Sequence, residues 1–206
     1  MELEFFPYPL LAGLGILIIV LIFLRRKRSL SFLFCFSVFW FYSLLVVSLT
    51  IFPIPLIQGT VARSPAAYIL SRVNLIPFNY HDLYDGALNV ILLEITGNIL
   101  LTAPFGFGLP FLMRFKPQNV PWQAIGVGLA IETAQLGFCL LIGADYRTVD
   151  ITDVLLNAIG VLLGYTLFRG FAYWYVAISD RLKVRQKGLL AFVYEIADTA
   201  TYGQLV

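Results

Sequence analysis

Charge is scarce in this chain. Only 13% of its 206 residues are Asp, Glu, Lys or Arg, while 60% are hydrophobic, and the mean hydropathy is +0.86. A soluble domain is nearer half apolar and a quarter charged. That shortage excludes a disordered chain and an ordinary soluble enzyme. Cysteine is scarce too: the two cysteines, Cys35 and Cys139, both lie in apolar runs, which excludes a disulfide framework and a Cys-based zinc site. A single histidine, His81, excludes His-rich metal chemistry. No internal repeat is visible, so an inverted-repeat transporter is not supported. The net charge of +2 points to no nucleic-acid partner and has to be read loop by loop. What remains is an all-α, polytopic transmembrane helical bundle.

A spanning helix needs about 20 mostly apolar residues. Five stretches qualify: 5–24, 30–52, 87–113, 120–142 and 151–178. The basic turn RRKR at 25–28 stops the first, and Pro53 and Pro55 end the second. The positive charge follows the first apolar stretch rather than preceding it, so this stretch reads as a retained anchor and not as a signal peptide. Cytoplasmic loops carry the excess of Lys and Arg. With 25–28 inside, eleven of the fourteen basic residues fall in the cytoplasm and three outside. This alternation predicts the N-terminus outside and the C-terminus inside.

The expected organisation is two N-terminal transmembrane helices in 1–52 and an extracellular loop in 53–86. A three-helix region in 87–178 and a basic cytoplasmic tail in 179–206 follow. The aromatic run FAYWY at 171–175 fits an interfacial belt, and 181–187 reads as a solvated basic tail or a segment near anionic lipid. A short interfacial helix is expected over 189–198.

Ionisable residues inside spans are costly and face a bundle interior or a wet cavity. Glu94 and Asn98 are four apart and share a helix face, and Glu132 and Gln135 are three apart. Asp150, Asp153, Asn157, Gly160 and Gly164 form one stripe at spacings of three, four, three and four. Its outer part is polar and its inner part small, and Gly160 with Gly164 is a pair that admits another helix closely. The predicted topology brings these stripes to one depth. The expectation is a polar pocket, open to the outer face, with Arg147 and Arg72 in the adjoining loops supplying positive charge.

Three chemistries suit such a pocket. Carboxylates with amide oxygens suit Mg²⁺ or Ca²⁺. Crowded carboxylates give an acid beside a base. An arginine beside them holds a phosphate or carboxylate. The plainer reading is that these groups only hydrogen-bond the helices together. No cofactor is indicated, and the metal is unknown.

The remaining motifs shape the backbone. Pro104, with Gly106, Gly108 and Pro110, is expected to kink or break its span. The segment NLIPF at 74–78 is expected to tuck its apolar residues onto the bundle as a lid, and Asp82 or Asp85 to cap the helix that follows.

Taken in order, NLIPF (74–78), GNILLTAPFGF (97–107), Ile131-Glu132 with Gln135, and the run from Arg147 through Asp150, Asp153, Asn157 and Gly160 to Gly164-Tyr165 resemble the VanZ-like family of bacterial membrane proteins. The resemblance covers roughly 73–168. It implies a small multi-pass protein of the bacterial cytoplasmic membrane, and its founding member is associated with resistance to the glycopeptide antibiotic teicoplanin. Two departures stand out: Thr152 replaces the middle acid of an Asp-x-Asp-Asp run, and Thr102-Ala103 replaces Phe-Ile before Pro104.

The resulting expectation is an outward pocket of Glu94, Asn98, Glu132, Gln135, Arg147, Asp150, Asp153, Asn157 and Arg72. It would bind a membrane lipid, a lipid-linked cell-wall precursor or a lipoglycopeptide antibiotic, and so contribute to antibiotic resistance or to cell-envelope lipid and glycan handling. One alternative is an enzyme on such a substrate, with Glu132 or Asp150 as general base or metal ligand and Arg147 stabilising negative charge. Another is an interaction or assembly protein, with a homo-oligomer formed through Gly160 and Gly164.

Overall fold

The computed structural model describes residues 2–55, 64–79, 88–114 and 116–203. Among them the chain forms helices α1 (Tyr8–Leu24), α2 (Leu30–Thr50), α3 (Ala66–Ser71), α4 (Leu88–Gly108), α5 (Val120–Ile142), α6 (Ile151–Arg181) and α7 (Leu189–Tyr202). Tight 3₁₀ turns at Leu109–Phe111 and Pro117–Asn119 follow α4 and precede α5. Strands β1 (Glu2–Leu3) and β2 (Ile54–Pro55) pair antiparallel, tying the start of the chain to the end of α2. The protein is therefore an all-α bundle. With their adjoining turns, α2, α4, α5 and α6 are long and apolar enough to cross a membrane, and α1, at 17 residues, is a shorter apolar helix. Expected to start at residue 5, α1 starts at Tyr8, with Pro9 in its first turn, where the missing amide costs nothing. The segment containing Asp82 and Asp85 lies outside the described residues.

Local signals set the helix ends. Ser29 caps α2 by accepting from the Phe32 amide at 3.2 Å. Gly143 ends α5 in the left-handed conformation, φ 73°, donating its amide to the Cys139 carbonyl, a conformation that glycine adopts without steric cost. Asp150 caps α6. Helix α2 packs against α1 at Gly13, whose missing side chain admits Leu44 and whose carbonyl accepts from the Trp40 indole at 3.0 Å.

The bundle is organised round α6. One face meets α4 so closely that a Cβ on Gly160 or Gly164 would run into the Thr102 hydroxyl or the Ala103 carbonyl. The expected small-residue contact is thus made within the chain. A second face carries Val154, Ala158 and Val161 against Ala124 and Gly128 of α5. Further along, Phe168, Ala172 and Val176 are buried with Ala197 of α7. The Tyr194 hydroxyl of α7 donates to Asp180 at 2.6 Å, and this bond to a carboxylate holds the phenol up at about 12. The outward residues of the long helices are apolar: Ile18, Phe23, Leu93, Leu100, Trp122, Leu141 and Leu167 are all exposed. A surface of that composition suits lipid rather than water. Tyr173 and Trp174 of the aromatic run also point outward.

The expected break at Pro104 does not occur: α4 runs through Pro104 and gives way to a 3₁₀ turn only after Gly108. A proline removes one rung of the helix ladder and disturbs its neighbour. Here the Tyr42 hydroxyl of α2 donates to the Leu101 carbonyl, one turn before the proline. Tyr42→Phe should cost about 1 kcal/mol, because it removes a bond between α2 and α4 away from water. The measurement is the thermal midpoint in detergent, and an unchanged midpoint would mean that Tyr42 does not support the helix.

Candidate functional site

The site is assembled where α5 ends and α6 begins. Both oxygens of Asp150 are engaged: Oδ1 accepts from the Thr152 amide at 2.6 Å and Oδ2 from Asn74 Nδ2 at 2.7 Å. Its own amide donates to Glu132 Oε2 at 3.1 Å. Glu132 comes to this point because Ala124, Gly128 and Glu132 recur every fourth residue, forming the buried stripe with which α5 meets α6. On the other side of α6, Asn98 Nδ2 donates to Asp153 Oδ1 at 2.6 Å, and Glu94 of α4 lies in side-chain contact with Asp153. Below them, Thr102 donates to the Asn157 carbonyl at 2.8 Å.

The structure therefore brings together Glu94, Asn98, Glu132, Asp150, Asp153 and Asn157. Glu132, Asp150 and Asn157 are buried, at 5%, 4% and 0% exposure. Glu94, Asn98 and Asp153 are half-buried, so the cluster meets its surroundings along the α4–α6 seam. Neither the amide nitrogen nor the amide oxygen of Asn157 has a partner, and Glu94 Oε2 is likewise buried and unpaired. Such groups are uncommon in a folded chain, because each gives up its hydration without replacement.

The three other expected residues lie elsewhere. Gln135 donates to the Thr50 carbonyl at 3.0 Å, and the Arg147 guanidinium donates to the Phe52 carbonyl. Both hold the end of α2, whose last carbonyls lack helical partners. Arg72 pairs with Asp145 at 3.3 Å on the surface. Among the described residues, no Lys or Arg ion pair reaches the four carboxylates of the cluster, so the expected positive rim is absent there. Nor, among the described residues, do three Asp, Glu, His or Cys side chains surround one point as a metal site requires. Cys139 is buried and directs its thiol to the Arg147 carbonyl at 3.7 Å. Next to it, burial raises the Tyr146 phenol above its ordinary value, Cys139 adds to the shift and Arg147 opposes it.

Asn74 and Thr152 belong to the cluster although the spacing argument passed over them. Asn74 pairs with the start of α6 like a strand: its amide donates to the Val149 carbonyl at 2.9 Å, and its carbonyl accepts from Ile151 at 3.0 Å. The Thr152 hydroxyl accepts from the Phe78 amide at 2.9 Å, which anchors Phe78 at φ 58°, a conformation rare for a residue with a side chain. The lid expectation is corrected here. NLIPF docks through Asn74 and its backbone, while Leu75, Ile76 and Phe78 face outward at 72%, 63% and 54% exposure. The available signal was Asn74 before Ile76-Pro77, an Asx-turn sequence in which Asn74 Oδ1 accepts from the Ile76 amide at 3.1 Å.

Two cavities lie away from the cluster. One, of about 650 Å³, is an apolar groove between α2, α4 and α7. The other, of about 640 Å³, lies between the end of α4, α6 and α7.

Residues 39–174 match the VanZ/LLP1 family. The chain belongs to that family. The match takes in α4, α5 and most of α6, and so every member of the polar cluster. A VanZ-like protein with several apolar helices of this length is a multi-pass membrane protein. No curated protein and no solved structure matches the chain.

Proposed function

We propose that this VanZ-like protein binds a lipid-linked or lipidated ligand of the bacterial cell envelope at the α4–α6 seam, and in that way contributes to glycopeptide resistance or envelope lipid handling. The supporting observation is Asn157, fully buried beneath Glu94, Asn98 and Asp153 with its whole side-chain amide unpaired. A sugar, peptide or headgroup amide entering the seam would meet an acceptor and a donor there. The protein would sit in the cytoplasmic membrane with this end outward, a placement that the distribution of basic residues supports. Binding ranks above catalysis because Asp150 has both oxygens engaged in the fold and Arg147 is turned to Phe52, which leaves the enzyme reading with Glu132 alone as its base and without its cation.

The test is native mass spectrometry of the purified chain beside the variant Glu94→Gln with Asn157→Ala. Asp150 is left intact because it carries the start of α6. A defined lipid or lipid-linked glycan retained by wild type and lost from the variant supports the reading, provided both melt alike. Equal, unselective lipid on both would move the weight to helix-to-helix bonding alone.

A further inference from the structure

The opposite end of the bundle holds a second site of different chemistry. The start of α2, the 3₁₀ turn after α4 and the start of α7 meet there, as Phe34, Phe111, Leu189 and Val193 share one groove. The basic turn 25–28 precedes α2, and the basic stretch 181–187 connects α6 to α7, so this end is strongly positive.

The cavity of about 640 Å³ lies at this end. Its apolar lining is Pro110, Met113, Ile196 and Ala200, over a floor closed by Phe168. Its rim is cationic and polar, formed by Arg114, Lys116, Gln118 and Thr199. Arg114 pairs with Glu195 at 3.3 Å, with side-chain exposures of 82% and 66%. Such an exposed pair is weak, and an incoming anion can replace Glu195. Lys116 has no ion pair among the described residues. A soluble anion would satisfy the rim and leave the apolar interior wet. An amphiphile with a phosphate at one end satisfies both.

We infer that this cavity holds one anionic phospholipid of the membrane the protein spans, its phosphate on Arg114 and Lys116 and its chain over Met113 and Ile196. This site is independent of the α4–α6 seam.

The full chain in detergent is titrated with phosphatidylglycerol and, separately, with phosphatidylcholine, and bound lipid is counted by native mass spectrometry. One phosphatidylglycerol should be retained in preference to phosphatidylcholine. Arg114→Gln with Lys116→Gln should weaken that retention about tenfold, the loss of two charge-assisted contacts. Arg181→Gln with Lys183→Gln removes equal charge outside the cavity and should change it less than about twofold. Glu195→Gln, which frees Arg114, should strengthen it. Equal weakening by both double variants would overturn the site in favour of diffuse attraction. Inorganic phosphate displacing the lipid, with the same dependence on Arg114 and Lys116, would overturn it in favour of a soluble-anion site. Melting curves without added lipid establish that every variant is folded.

Discussion

Gly164→Ala should destabilise this protein more than any other addition of one methyl group to α6. A Cβ there would strike the Ala103 carbonyl of α4, its carbon lying at only 2.7 Å. The clash is with backbone, so no side chain can rotate away from it. Across the same seam, a Cβ on Gly106 would strike the Val161 carbonyl, with the carbon at 2.8 Å. The helices approach each other through glycine from both sides, and a methyl group on either must push them apart. Overpacking of this kind costs about 3 kcal/mol or more, which for a chain of this size lowers the thermal midpoint by roughly 6 to 12 °C. Gly170→Ala is the control. It lies on the same helix with nothing within 4 Å of its Cβ position, and alanine favours a helix over glycine by about 1 kcal/mol. It should therefore leave the midpoint unchanged or raise it. Similar behaviour of the two variants would contradict the close α4–α6 contact on which the candidate site depends.

The second large effect belongs to Asp150. In Asp150→Ala, α6 loses its N-cap and Asn74 loses its side-chain partner, while the backbone amide that donates to Glu132 stays in place. A lost cap costs about 1 kcal/mol, and a lost bond to a charged group about 1.5 to 3 kcal/mol. Together these amount to roughly 3 kcal/mol, because coupled bonds do not add in full. Asp150→Asn should recover the cap, about 1 kcal/mol of that loss, since asparagine caps helices about as well but its single oxygen cannot also accept from Asn74. The measurements are the thermal midpoint and the proteolysis of 64–79, the segment that Asn74 holds. Faster cleavage in Asp150→Ala than in Asp150→Asn, and faster in both than in wild type, is the expected pattern. If both variants melt like wild type, Asp150 is not structural and becomes available again as the base of an enzyme.

These two residues also mark how far the sequence could be read. The stripe Asp150, Asp153, Asn157, Gly160, Gly164 was legible because helical spacing alone puts those positions on one face, and polar or small residues there are costly against lipid. The companion faces, Glu94 with Asn98 and the position of Glu132, followed by the same rule. The convergence of the three helices at one depth followed from their alternating direction. At Pro104 a break was expected and the helix continues; the Tyr42 hydroxyl that reaches the preceding turn comes from about sixty positions earlier, and no local pattern announces it. NLIPF was half read. Its proximity to the bundle was expected, but the apolar side chains were assigned to the contact that Asn74 and the backbone make.

Composition and periodicity by themselves determined the class of molecule, the positions of the long helices to within a few residues, and which polar residues share a face. All of these are properties of a helix in an apolar medium, and each is encoded within a few turns. Only the tertiary structure decided where the flexible charged side chains go. Arg147 and Arg72 sit in loops next to the cluster, and their sequence positions suit a positive rim. Yet Arg147 turns to the open end of α2 and Arg72 to Asp145. A long arginine reaches acceptors in several directions, and the one it takes depends on which unsatisfied carbonyl or carboxylate the packing of other helices leaves within range. Those partners are as much as 95 residues away along the chain, so no window of sequence contains the choice.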